Sequence, residues 1–381
     1  MNNQKLIPVV LILGLSVAIA YKLKNVSPPL SSDIRPEISH HDPIPLKPVA
    51  PVPTFEDALN SIVESELTKN LVYLASNELE GRMPGKQGNI QAAEFIKNKF
   101  ESYGLVTEFQ RFKINRMNPG PKNETGVDFT QNIIACIIGS EKPNEIVVIG
   151  AHMDHIGYGP EMSVTPNRRE VHPGADDNAS GTVALLEIAK AFSKLKPKRT
   201  VLFQSYSAEE MGLIGSQYYC NHPTFPLEAP DIKAHVFMLN FDMIGYLGKG
   251  KYSVGFNAGD SSAEVTKFID ELNQKYSFAK RITTQGRSGS DHASFYNKHI
   301  PVAFMHTGMH DAYHTPDDTA DKLNYQGIEQ IARYAFELSW KVANADSRPF
   351  FNYAGFQEME VTHDHGHPGV EFFIHKYHRH D

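Results

Sequence analysis

Residues 145–155 read EIVVIGAHMDH, an uninterrupted aliphatic run that ends directly in His152, Asp154 and His155. A run without polar alternation fits a strand buried on both faces, and such strands belong to parallel sheets covered by helices. Open α/β sheets build their sites beyond the carboxyl ends of the strands, which is where these imidazoles and the carboxylate fall. The pattern recurs. TVLFQSYSA (200–208) runs into Glu209 and Glu210, HVFMLNF (235–241) runs into Asp242, and PVAFMH (301–306) leads to the loop ending DAYHTPDD (311–318), with His310 and His314. Between the first two lies HPGADDNASG (172–181), which sets Asp176 and Asp177 just ahead of a helix starting near Gly181.

Between the apolar runs stand helical patterns: GTVALLEIAKAFSKL (181–195), SAEVTKFIDELNQKY (262–276) and GIEQIARYAFELSWKVA (327–343). NIIACIIG (132–139) supplies a further buried strand. Upstream, residues 54–79 read as one helical stretch. A second helix is predicted over GNIQAAEFIKNKFESYG (88–104), with Ala92, Phe95, Ile96 and Phe100 on one face and Gly104 as its stop. Alternating strands and helices predict an α/β fold, a single domain over 55–345 with a mostly parallel mixed sheet flanked by helices on both faces.

Composition narrows the partners. Of 381 residues, 41% are hydrophobic and 21% charged, and the mean hydropathy is −0.36, which excludes a multipass membrane protein. The net charge of −7 comes without a basic block able to neutralise a run of phosphates, so no nucleic acid partner is expected. Only Cys136 and Cys220 are present; both read as reduced core residues, and a metal site must draw on His, Asp and Glu.

The chain opens with MNNQK and the apolar run LIPVVLILGLSVAIAY (6–21), in which Ala18-Ile19-Ala20 fits a small-x-small cleavage pattern. Residues 1–20 are expected to act as a secretory signal, or, because Lys22 and Lys24 start the following segment poorly, as an uncleaved membrane anchor. Either reading places the protein outside the cytoplasm, periplasmic or secreted. Residues 21–54 form a proline-rich linker, and 346–381 a tail carrying His363, His365, His367, His375, His378 and His380. That tail reads as a disordered segment of weak metal affinity, or else as a metal-acquisition segment.

Any one His-x-Asp or Glu-Glu pair is an ordinary loop feature. Several strand ends gathering imidazoles and carboxylates, with no phosphate-cradling glycine loop and no Gly-x-Ser-x-Gly elbow, suit a divalent ion such as zinc. Their order and wording resemble the co-catalytic di-zinc aminopeptidases of metallopeptidase clan MH. The likeness runs from LASNELEGRMPGKQGNIQAAEFIKNKFESYGL (74–105) through GAHMDH, PGADDNASG, SAEEMGLIGS, LNFDMIG, SDHASFY and YHTPDDT. It implies the zinc aminopeptidase fold and hydrolysis of N-terminal residues from peptide substrates. It also implies two Zn2+ ions, with His152 and Asp242 on one, Glu210 and His314 on the other, and Asp177 bridging them. Glu209 would be the general base and Asp154 the carboxylate that fixes the His152 ring.

Spacing alone does not separate Asp176 from Asp177 as the bridge; the motif match selects Asp177. Adjacent Glu209 and Glu210 would diverge on a regular strand, so a tight turn is required to bring both to the site. Asn178 is expected to support its turn, Ser180 to cap the following helix, and Gly181 to permit close packing. His155, His172, His306 and His310 are expected around the site rather than as ligands. Asp291 in SDHASFY reads either as a substrate contact or as a helix cap. Two other activities fit the same scaffold: a one-zinc glutaminyl-peptide cyclotransferase, and a non-catalytic binding ectodomain on a decayed peptidase. The complete ligand set speaks against both.

Overall fold

The computed structural model describes residues 52–115, 127–159, 162–224, 230–248, 255–257, 261–276, 282–283 and 289–354. The expectations for the first 51 residues, and for the histidine-rich tail beyond 354, lie outside the described residues. No described helix is long and apolar enough to cross a membrane.

The runs that read as strands are strands. β2 spans Val127–Ile137, β3 Lys142–His152, β4 Arg199–Tyr206, β5 His235–Phe241 and β8 Val302–His306. Three more were not anticipated: β1 (Val106–Asn115), β6 (Gly255–Asn257) and β7 (Ile282–Thr283). The sheet order is β1-β2-β4-β3-β5-β8-β6-β7. Its centre, β4-β3-β5-β8, is parallel, whereas β2 pairs antiparallel with both β1 and β4, and β6 pairs antiparallel with β8. Every residue of β4 and β5 is buried, as their largely apolar sequences lead one to expect, and the polar Gln204, Ser205 and Asn240 are buried with the rest. β1 lies at the sheet edge with exposed residues alternating along it, and its charged side chains (Glu108, Arg111, Lys113) hid it from a search for apolar runs.

Period-two alternation along the strands feeds two cores. Val147 and Ile149 of β3, with Val201 and Phe203 of β4, face α4 (Gly181–Phe192) and α8 (Tyr325–Asn344), where Leu185, Phe192 and Phe336 pack. Ile146, Val148 and Leu202 face the other side, against Tyr219 and Cys220 of α5 (Ile214–Asn221) and Phe295 of α7 (His292–Tyr296). Cys136 and Cys220 are free and buried in that second core, Cys220 within α5.

The stretch 54–79 is not one helix. It divides into α1 (Phe55–Leu59), α2 (Glu64–Leu74) and a 3-10 segment, Asn77–Arg82. Tertiary partners take the backbone groups at the first break. The Arg333 guanidinium donates to the Ile62 carbonyl (2.8 Å), and the Glu64 N–H donates to the Glu329 carboxylate (2.8 Å), so the chain gains there what a continuous helix would have supplied. Its neighbour α3 (Gln87–Ser102) forms as predicted, burying Ala92, Ile96 and Phe100 and stopping at Gly104, whose φ of +80° suits glycine. The remaining helix, α6 (Ala263–Lys275), matches its sequence pattern as well.

Candidate metal centre

His152 is the last residue of β3, and Asp242 follows β5 directly, so the parallel strand ends deliver both side chains to one place. His152 Nε2 lies 3.3 Å from Asp242 Oδ1 and 3.5 Å from Asp177 Oδ1. On the other side of Asp177, Oδ2 lies 3.1 Å from His314 Nε2, which is also 3.0 Å from Glu210 Oε2. One carboxylate thus presents an oxygen to each of two donor sets. All of these side chains are buried or nearly so.

The turn carrying Asp177 shows why it and not Asp176 points inward. The Asp318 carboxylate accepts the Asp176 N–H (2.9 Å) and the Asp177 N–H (3.0 Å). Asp176 itself turns away, accepting the Gly245 N–H (2.6 Å) and facing His310 Nε2 at 3.0 Å. Asn178 braces the turn as expected, donating to the Phe241 carbonyl and accepting the Gly181 N–H. A side chain at Gly181 would meet Asn178 Oδ1 at 2.4 Å, which accounts for the glycine. Ser180 does not cap α4; its hydroxyl donates to the Asp176 carbonyl and accepts the Ile244 N–H, tying the turn to the segment after β5.

The required tight turn exists after β4. Ala208 takes φ +61°, and the Gly212 and Leu213 amides both donate to the Glu209 carbonyl (2.8 Å). Asp154 holds it. Its carboxylate accepts the Glu209 N–H (3.2 Å) and the Glu210 N–H (3.3 Å), while sitting 3.7 Å from His152 Nδ1. The nearer acceptor for the His152 ring is the Asp154 backbone carbonyl, at 3.3 Å. The Asp154 carboxylate, expected to fix the His152 ring, instead aligns the two glutamates, and the ring is met by the backbone carbonyl of the same residue. His314 Nδ1–H donates to the Met162 carbonyl (2.9 Å), which turns Nε2 toward the carboxylates.

Glu209 Oε2 lies 3.9 Å from His152 Nε2, beside the donors. Burial, with Asp242, Glu210 and Asp291 nearby, pushes its carboxyl well above the usual range despite His152. Burial would lower the His152 imidazole, but Glu209 and Asp242 outweigh it and hold it well above 6.5; His314 is raised in the same way by Glu210 and Asp177. Asp291 is fully buried at the start of α7, and its side chain makes no capping bond, so the cap reading fails. Burial pushes its carboxyl up to about 7, with His152 opposing and Asp154 and Asp242 adding to the rise.

Among the other histidines, His172, His306 and His310 brace the surroundings through Ser163, the Asp242 carbonyl and Asp176 respectively. His155 instead enters the centre, its Nδ1 2.8 Å from Glu210 Oε1. Two sets of donor atoms within 4.8 Å of one another result: His152, Asp177 and Asp242; and His155, Asp177, Glu210 and His314. His152 Nε2, His314 Nε2 and Asp242 Oδ1 are buried with no hydrogen bond. Buried polar atoms normally find partners, and unpaired imidazole nitrogens clustered with carboxylate oxygens are the donor chemistry of zinc, so the residues fit such an ion.

Sequence reasoning missed two supports. Asp318, whose carboxyl burial and Asp176 push up to about 6, sets the turn of Asp177. Fully buried Arg82 donates to the carbonyls of Leu74, Met153 (2.7 Å), Pro173 (2.6 Å) and Gly174 (2.9 Å), stapling the loop after β3 to the loop before Asp177. No local pattern in the sequence marks either residue as a support. Arg82→Met leaves those carbonyls without donors, and unfolding in urea is expected to show a loss of about 3 to 5 kcal/mol. A cavity of about 390 Å³ has mixed walls, with Met83, Ile114 and Met211 beside Glu80, Lys86 and Asp128, and its lining includes Ile156 and Met211, the residues that follow His155 and Glu210 in sequence.

Comparison with known proteins gives the family. The sequence model of peptidase family M28 matches residues 132–339, more than half of the chain. Leupeptin-inactivating enzyme 1 of Streptomyces exfoliatus is 30% identical over 262 residues, covering 68% of this chain and 52%, about half, of that protein. A protein of Arthroderma benhamiae called "Probable leucine aminopeptidase" is 34% identical over 298 residues, 74% of this chain and 75% of its own. A zinc aminopeptidase of Bacillus subtilis shares the fold, with a TM-score of 0.62 at 18% identity over 76% of this chain and 98% of that one.

Proposed function

The chain belongs to peptidase family M28 and is a metallo-aminopeptidase, and from that premise we propose that it is an exported exopeptidase using two zinc ions and a glutamate base to remove N-terminal residues from peptides. The observation that carries the two-ion reading is Asp177, whose Oδ1 and Oδ2 face different imidazoles at 3.5 and 3.1 Å. His152 and Asp242 would hold one ion, Glu210 and His314 the other, with Asp177 between them. When bound there, a zinc pair supplies an acidified water and polarises the scissile carbonyl.

The chain's own groups do the rest. Glu209, close to the donors but not needed as one of them, accepts the water proton and passes it to the departing amine. Asp154 keeps the turn in place by accepting the Glu209 and Glu210 amides. Buried Asp291 stays a candidate contact for the substrate's positive amino terminus.

Metal analysis combined with a panel of aminoacyl and glutaminyl substrates tests the proposal. Zinc near two per chain and release of free amino acids are expected. Zinc near one, with pyroglutamate as product, would instead identify a cyclotransferase, and zinc-free protein without hydrolysis a binding ectodomain. Export predicts that protein isolated from its source begins at Tyr21 if cleaved after Ala20, or fractionates with membranes if the segment is retained; an uncleaved soluble product would remove this part.

A further inference from the structure

The two donor sets are unequal. The His152, Asp177 and Asp242 set has three side chains, whereas His155, Asp177, Glu210 and His314 make four. His155 is fully buried, and of its ring nitrogens Nδ1 is the one directed at the carboxylates: 2.8 Å from Glu210 Oε1 and 3.8 Å from Asp177 Oδ2. The ring stands edge-on to His314, centroids 5.5 Å apart at 80°. It reaches this place because residue 174 is glycine. Gly174 takes φ +57°, and a side chain there would meet His155 Cγ at 2.6 Å. Donor atoms about 2.0 to 2.2 Å from a tetrahedral zinc stand roughly 3.2 to 3.6 Å apart. The separations here, 3.0 and 3.1 Å around His314 and 2.8 and 3.8 Å around His155, straddle that range.

We propose that His155 Nδ1 is a fourth protein donor to the Glu210 and His314 ion, so that one zinc is held tightly by four side chains while the other, on three, keeps the open position beside Glu209. The inference rests on the two-ion reading. Closed sets of four protein ligands are the mark of structural zinc, and sets of three leave room for water, so the four-residue set would anchor the centre and the three-residue set would leave room for a water within reach of Glu209. Glu209 is placed accordingly, 3.9 Å from His152 Nε2.

A competing role, in which His155 only donates a hydrogen bond to Glu210, is separated by His155→Asn. An asparagine amide preserves such a bond but is a poor zinc donor. Zinc retention against a graded chelator should show two classes in the unmodified protein, one tight and one weak. In both His155→Ala and His155→Asn the tight class should weaken by about 100-fold or more, beyond what loss of an orienting residue alone brings. X-ray absorption at the zinc edge of the unmodified protein gives a reading that depends on no variant's folding: three imidazoles for two zinc ions are expected, against two if His155 stays out. Retention of the tight class by His155→Asn, a single affinity class in the unmodified protein, or two imidazoles for two ions would each overturn the assignment. One zinc per chain in the unmodified protein would sink the two-ion reading itself.

Discussion

Glu209→Gln is expected to lower the turnover of an aminoacyl amide by a factor on the order of 100 or more while leaving the zinc content unchanged. The replacement keeps the size of the side chain and both backbone bonds to Asp154, so the turn that also places Glu210 should persist. What it removes is the capacity to accept a proton. Glu209 is the carboxylate best suited to that task, because Asp177, Glu210 and Asp242 face imidazoles at 3.5 Å or less, and Glu209 reaches the nearest only at 3.9 Å. Steady-state kinetics with parallel zinc analysis read both arms. Full turnover at normal zinc would place the base elsewhere, with buried Asp291 the next carboxyl to test.

Much of this was legible because buried parallel strands write themselves plainly. EIVVIG, TVLFQSY and HVFMLNF have no polar face, so their ends, and with them His152, Glu209, Glu210 and Asp242, could be located from sequence. The elements that escaped are those whose information is tertiary. β1 alternates like a half-exposed strand yet carries charge along its wet face, and the break between α1 and α2 depends on Arg333 and Glu329, more than 250 positions away. The choice between two adjacent aspartates, which spacing left open and the resemblance made for Asp177, has its physical reason in Asp318, which grips both of their amides from another loop. No local pattern distinguishes His155 from the histidines around it. Its entry follows from the left-handed turn at Gly174 and from Arg82, which holds together the loops on either side.

Asp177→Ala is expected to have the larger effect on the metal centre, and an unequal one. Removing the shared carboxylate leaves His152 and Asp242 alone on one side, two donors where zinc centres ordinarily use three or four. Glu210 and His314 remain on the other with His155 close by. Dialysis against a weak chelator should therefore strip the His152 side completely and leave at most about one weakly held zinc per chain, with hydrolysis down by more than about 100-fold. Asp176→Ala is the control for a merely structural cause. It loses the Gly245 bond and the His310 contact, so its stability should fall, yet the bridging oxygens stay in place and the zinc should remain. If Asp176→Ala emptied the centre and Asp177→Ala kept both ions, the bridge would be the other aspartate, and the orientation that Asp318 imposes on the turn would not be the one the working protein uses.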